Sequence, residues 1–185
     1  GIAGGVFMWK IGGARAALGG SLDEVIQSAQ KAVDATRSIC VGLEPCTIPA
    51  VGHSNFDIED GKMEFGIGHH GEPGMQVQKL KPAKEIAAEM TKAVYEDLGL
   101  QDGDETAVIV SGLGAAPLME LYVLYDEVER YLKEKGIRIY QTLVGNYVTS
   151  LDMNGAALTV MRLDEELKEL LDYEARCLGL TIKAK

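Results

Sequence analysis

Cysteine is scarce in this chain of 185 residues: only Cys40, Cys46 and Cys177, with no CxxC spacing. That excludes a disulfide framework and points to a reducing, cytoplasmic compartment. Basic residues are short as well. Eighteen Lys and Arg against 28 Asp and Glu leave a formal charge of −10. Nucleic acids are held by clustered Lys and Arg, so nucleic-acid binding is not expected. No apolar run approaches the ~20 residues of a membrane helix, so no membrane span is expected, and no signal peptide is visible. An initiator Met is missing too. The chain opens Gly1-Ile2-Ala3-Gly4-Gly5 and runs straight into an apolar segment, which leads us to expect a piece of a longer polypeptide. The rest of the composition, 46% hydrophobic and 25% charged, is ordinary for a globular domain with a real core.

Periodicity divides the chain into alternating helices and strands. Residues 5–19 read as a helix with Phe7, Ile11, Ala14 and Leu18 on one face. The Gly12-Gly13 pair inside it predicts close packing against a neighbour. Ser21 and Glu24 form a capping-box pattern for a second helix with a buried stripe of Leu22, Ile26, Ala29 and Val33. Strands are expected at 38–44 and 62–67. Between them lies a loop marked by Pro45, Pro49, Gly52 and Asn55. A helix over 82–98 buries Ile86, Met90, Val94 and Leu98 and stops at Gly99. Residues 106–110 read as a strand covered on both faces. A helix follows over 117–135 with a stripe of Leu118, Leu121, Tyr122, Tyr125, Val128 and Leu132. Its outward pairs are Asp126–Arg130 and Glu129–Lys133. Strands at 137–144 and 156–163 and an acidic helix at 164–173 complete the pattern. The expected class is α/β, a mixed β-sheet packed by α-helices.

Chemistry gathers in the Gly- and Pro-rich loop His69-His70-Gly71-Glu72-Pro73-Gly74. Adjacent histidines point different ways, and the only other one is His53, so a metal centre on His69, His70 and His53 is the weaker reading. In the stronger one, a neutral imidazole adds through its lone pair to a carbonyl carbon. That requires the proton on the other ring nitrogen to be held by an acceptor, a role open to Glu72. Ser111-Gly112-Leu113-Gly114 precedes a helix and is either an anion site or simply a turn. Cys46 reads as a buried structural thiol and Trp9 as a packing residue.

Six segments, in order, resemble the dihydroxyacetone kinase substrate-binding subunit family. They are Gly1-Ile2-Ala3-Gly4, Glu44-Pro45-Cys46-Thr47-Ile48-Pro49, Met63-Glu64-Phe65-Gly66-Ile67-Gly68 with His70-Gly71-Glu72-Pro73-Gly74, Gly112-Leu113-Gly114, Pro117-Leu118-Met119-Glu120-Leu121-Tyr122, and Thr149-Ser150-Leu151-Asp152-Met153. The resemblance covers nearly the whole chain and implies that residues 1–185 are the C-terminal half of such a subunit. It assigns His70 as the catalytic residue, forming a hemiaminal with a small ketone such as dihydroxyacetone. His69 stands where the family usually has an apolar residue, and Trp9-Lys10 where many members have His-Lys. The family's N-terminal half, which supplies the acid–base residues, is absent from these residues. The resemblance implies no cofactor or metal on this chain, with ADP or ATP and Mg carried by a DhaL-type nucleotide-binding subunit or domain. It also implies a homodimer, and a chain inactive by itself. The alternative is a non-catalytic paralogue that binds a ketone or a protein partner and regulates transcription or another subunit.

Overall fold

The computed structural model describes residues 2–54 and 56–183, so Gly1 and Asn55 of the sequence motifs lie outside the described residues. In chain order the elements are α1 (Gly4–Ala17), α2 (Leu22–Asp34), β1 (Thr36–Glu44), β2 (Lys62–Phe65), β3 (Gln76–Lys79), α3 (Ala83–Leu98) and β4 (Glu105–Gly112). These are followed by α4 (Leu118–Glu134), β5 (Arg138–Gly145), β6 (Asn154–Leu163), α5 (Glu165–Asp172), β7 (Ala175–Arg176) and β8 (Thr181–Ile182).

Six strands form one mixed sheet in the order β3-β2-β1-β6-β4-β5. Only β4 and β5 run parallel, and α4 is the crossover that parallel neighbours require. The other pairs are antiparallel. Strands β7 and β8 form a separate small ribbon. The mixed α/β class expected from the sequence is the class observed. Neither β3 nor the terminal ribbon was anticipated: β3 does not alternate, with three of its four residues exposed, and the ribbon strands of two residues are too short to establish a period.

Side chains alternate across the sheet. Leu158 and Val160 of β6 join Val108 and Val110 of β4 under α3 and α4, together with Ile86, Met90, Val94, Leu121, Val128 and Leu132. Met161, Ala107 and Ile109 face the other way, against Phe7, Ile11 and Ala14 of α1 and Leu167, Leu170 and Leu171 of α5. Helix α3 buries its whole predicted stripe and ends at Gly99, whose φ of 61° suits glycine. The Ser21–Glu24 capping box is formed, as are both outward ion pairs of α4.

Three expectations about burial fail. On α2 the buried residues are Ser28 and Ala32, while Leu22, Ile26 and Val33 are exposed. This helix packs on α1 rather than on the sheet. Gly12 takes the close contact there, since a Cβ on it would stand 3.3 Å from Ala29 Cβ, whereas Gly13 meets nothing. Polar links hold the inward side: Arg15 donates to Ser28 Oγ (3.1 Å) and to Glu166 (2.7 Å), and Lys31 pairs with Glu166. Leu18, Leu118 and Tyr122 are exposed, with Leu124 in the buried stripe of α4 instead. Trp9 is 69% exposed and so packs little within this chain. Among the described residues, no helix is long and apolar enough to cross a membrane.

Candidate functional site

The unforeseen strand β3 changes the meaning of the His70 segment. Residues 66–75 do not merely leave a strand end; they connect the antiparallel pair β2–β3. Backbone bonds fold this loop back on itself. Met75 N–H donates to Phe65 O (2.8 Å), Gly68 N–H to Glu72 O (3.0 Å) and Gly71 N–H to Gly68 O (3.1 Å). Gly66 N–H donates to Cys40 O of β1 (2.7 Å), tying the loop to the sheet. The Glu64 carboxylate accepts from Gly74 N–H at the loop's far end.

Beneath the loop lies a third buried cluster: Cys40 of β1, Ala157 of β6, Cys46, Ile67, Leu113 and Met153, with Ile2 and Phe56 packed against it. Five of the six sequence segments thus contribute a residue to one cluster: Ile2, Cys46, Ile67, Leu113 and Met153. Hydrogen bonds join the same segments. Thr47 N–H donates to Asp152 Oδ1 (2.7 Å), Ser150 N–H to Leu113 O (2.6 Å) and Ala115 N–H to Met153 O (3.0 Å). Leu151 has φ of 52°, unusual for a branched residue. Its carbonyl oxygen comes so close to Gly114 that a Cβ there would stand 1.9 Å away. The remaining segment, 117–122, starts α4, and its Leu121 belongs to the core under α3 and α4.

The His70 side chain is 72% exposed on top of this platform. Its Nδ1 lies 3.0 Å from Glu72 Oε1, and its backbone N–H donates to Glu72 Oε2, also at 3.0 Å. Glu72 is held below the ordinary carboxylate pKa, by its own backbone N–H first and by the His70 ring and backbone next. The His69 and His70 rings touch in a tilted arrangement, with centroids 3.8 Å and planes 39° apart. Partial burial first, and the neighbouring His70 second, pushes the His69 pKa below its usual value and favours the neutral ring. Cys40 is pushed up to about 12, by burial and then by the charge of Glu72. It therefore stays a neutral thiol and does not compete as a nucleophile.

The other candidates separate from this site. His53 Nδ1 lies 2.9 Å from the carbonyl of its neighbour Ser54. Among the described residues, no three His, Cys, Asp or Glu side chains come together as a metal site. Ser111 Oγ accepts N–H bonds from Tyr147 and Val148, both at 3.0 Å. Ser111 and Gly112 end β4, Gly114 bridges to Met153, and helix α4 begins only at Leu118, so residues 111–114 pack on the 146–153 segment rather than opening a helix N-terminus as an anion cradle. Cys46 is buried, as expected. An apolar groove of about 260 Å³, lined by Val41, Leu43, Ile86, Leu121, Leu124 and Ala156 among others, lies on the α3–α4 face, away from His70.

Comparison with known proteins gives a consistent set. Residues 1–179 match the Dak1 domain. A Listeria innocua protein described as the dihydroxyacetone-binding subunit DhaK of PTS-dependent dihydroxyacetone kinase 2 is 42% identical over 172 residues, which is 93% of this chain and 52% of that one. Among solved structures, the dihydroxyacetone kinase operon co-activator Dha-DhaQ superposes with a TM-score of 0.88 at 33% identity, over 94% of this chain and 54% of that one. The dihydroxyacetone kinase from C. freundii, solved with AMP-PNP and Mg2+, superposes with a TM-score of 0.86 at 27% identity, over 99% of this chain and 33% of that one. The chain spans about half the length of the curated relatives it matches.

Proposed function

The chain belongs to the Dak1 domain family, and on that premise we propose that it is the covalent-capture half of a dihydroxyacetone-binding subunit, with His70 as the catalytic residue. The observation that carries this reading is the His70 imidazole itself, exposed on the loop with Nδ1 engaged by Glu72. Nε2 is left to attack. Its lone pair adds to the ketone carbon, an N–C bond forms and the C=O π bond breaks. The carbonyl oxygen takes up a proton to become a hydroxyl, and Nδ1 gives one up through Glu72 to solvent. No group leaves, so the adduct contains the whole ketone.

Such capture selects carbonyl compounds over polyols, which have no electrophilic carbon. It also orients a terminal hydroxyl for phosphoryl transfer. Acid–base residues come from the companion half of the subunit, which this chain's residues meet as its C-terminal half. The nucleotide and Mg belong to a DhaL-type partner. The complete subunit is a homodimer.

The test uses dihydroxyacetone labelled with 13C at the carbonyl and the complete subunit labelled with 15N at histidine. A tetrahedral carbon coupled to a His70 ring nitrogen is expected, and His70→Ala abolishes it. An unchanged ketone spectrum in the presence of folded wild-type subunit would overturn the capture reading.

A second reading has its own support, because one of the similar structures is an operon co-activator. In that reading the same loop senses a ketone or a protein and no phosphoryl group moves. Adding the nucleotide-bearing partner separates the two: turnover supports the kinase, and binding without turnover supports the regulator.

A further inference from the structure

We propose that Glu72 is the positioning residue of this site: its carboxylate accepts from both the backbone N–H and the ring Nδ1 of His70 and so keeps Nε2 unprotonated. The inference rests on the capture reading, but its primary readout does not.

Hydrogen-bond valence decides where the ring proton sits. An ionised carboxylate has acceptors only, and a neutral imidazole has one N–H. With Glu72 Oε1 3.0 Å from Nδ1, the single ring proton belongs on Nδ1. Nε2 then holds the lone pair. In water the opposite tautomer predominates, and its Nε2 has nothing to donate to a carbonyl carbon. The other oxygen, Oε2, accepts from the His70 backbone N–H at 3.0 Å, which fixes the carboxylate plane relative to the ring. Glutamine cannot replace it. With one acceptor oxygen, an amide turns its NH2 group toward either the ring or the backbone N–H, and one of the two bonds is lost.

The surroundings fit this role. The Glu72 carbonyl is anchored by Gly68 N–H, and its carboxylate fills the space beside Gly68: a Cβ there would stand 2.0 Å from Oε2. Among the described residues, no Lys or Arg side chain pairs with Glu72; the ring it meets is that of His70. The carboxylate is held ionised by the bonds it accepts. The His69 ring lies beside His70 in a tilted contact, with centroids 3.8 Å and planes 39° apart, so both neighbours of the imidazole come from the same loop.

The experiment is a long-range 1H–15N spectrum of the 15N-histidine-labelled chain near neutral pH, which reads the tautomer of each ring directly. For His70 the expected pattern is a protonated Nδ1 and an unprotonated Nε2. In Glu72→Gln the ratio moves toward the Nε2–H form by about 10-fold to 100-fold, the weight of one hydrogen bond to a charged group. Glu72→Asp, which keeps two acceptors on a shorter stem, restores part of the shift. A wild-type His70 carrying its proton on Nε2, or a tautomer ratio unmoved by Glu72→Gln, would overturn the proposal. In the complete subunit, Glu72→Gln lowers the ketone adduct in proportion to the fraction of His70 rings that carry their proton on Nδ1. If wild type shows the Nδ1–H tautomer but captures no ketone, the capture reading fails and the role of Glu72 in setting the tautomer stands. If wild type captures and Glu72→Gln captures equally well, the reverse holds.

Discussion

The buried cluster around Cys40 and Met153 and the open loop around His70 are neighbours with opposite properties. Met153, Leu113 and Ala157 are fully buried, while the His70 side chain is 72% exposed. The short segments picked out in the sequence thus divide into two kinds. One kind, represented by Ile2, Cys46, Ile67, Leu113 and Met153, builds a platform. The other, His69 to Gly74, stands on that platform with the His70 side chain open to solvent. Damage to the first should appear as lost stability, and damage to the second as lost chemistry.

Substitutions test that division. His70→Ala should have the largest effect on capture, abolishing it, and a small one on folding, within about 0.5 kcal/mol by urea denaturation, because the side chain is exposed. A large stability loss would place His70 in the platform. Met153→Ala should do the opposite. Removing a fully buried Met from a packed cluster costs about 2–5 kcal/mol, and the fraction that remains folded should still capture ketone.

Gly68→Ala sits on the boundary. Its new Cβ displaces the Glu72 carboxylate, so the overpacking cost is about 1–3 kcal/mol. Capture should fall as in Glu72→Gln if that carboxylate sets the tautomer. Equal capture in Gly68→Ala and wild type would detach Gly68 from the chemistry.

The smallest effect belongs to His69. Its folded-state pKa lies below the ordinary 6.5, so between those two values the unfolded chain binds more protons than the native one. Stability from this group is present above pH 6.5 and is lost as pH falls toward the lowered value. His69→Phe keeps a ring against His70 and removes that proton uptake. Its denaturation midpoint should therefore fall less than wild type's between about pH 7 and about pH 5.

Helices α2 and α3 show how far sequence reading reaches. Both carry a regular apolar stripe. In α3 the residues Ile86, Met90, Val94 and Leu98 are all buried against the sheet and α4. In α2 the stripe of Leu22, Ile26 and Val33 faces outward, because this helix docks on α1 through Gly12, Ala29 and the Arg15–Ser28–Glu166 contacts. Periodicity identifies an apolar face without saying which neighbour meets it. The same limit explains β3. Four residues with three exposed have no pattern of their own, and pairing with β2 makes the strand. At the site, His70 and Glu72 were legible as a chemical pair from their residue types and their nearness in the loop. The bond between Nδ1 and Oε1, the tilted contact of His69 and the thiol beneath them were not.

Sequence alone determined which elements form wherever the signal is local: the capping box at Ser21, the stop at Gly99, the ion pairs of α4 and the two-sided burial of β4. Local rules act over a few residues, and these features need nothing further. It also singled out the loop from His69 to Gly74, since no other stretch joins histidine, carboxylate and glycine so closely. Only the tertiary structure decided that five distant segments share one cluster under that loop, and that the loop spans two paired strands. Contacts among residues 2, 46, 67, 113 and 153 depend on the order in which the strands assemble in the sheet. That order is set by side-chain packing across the whole chain, which no local pattern encodes.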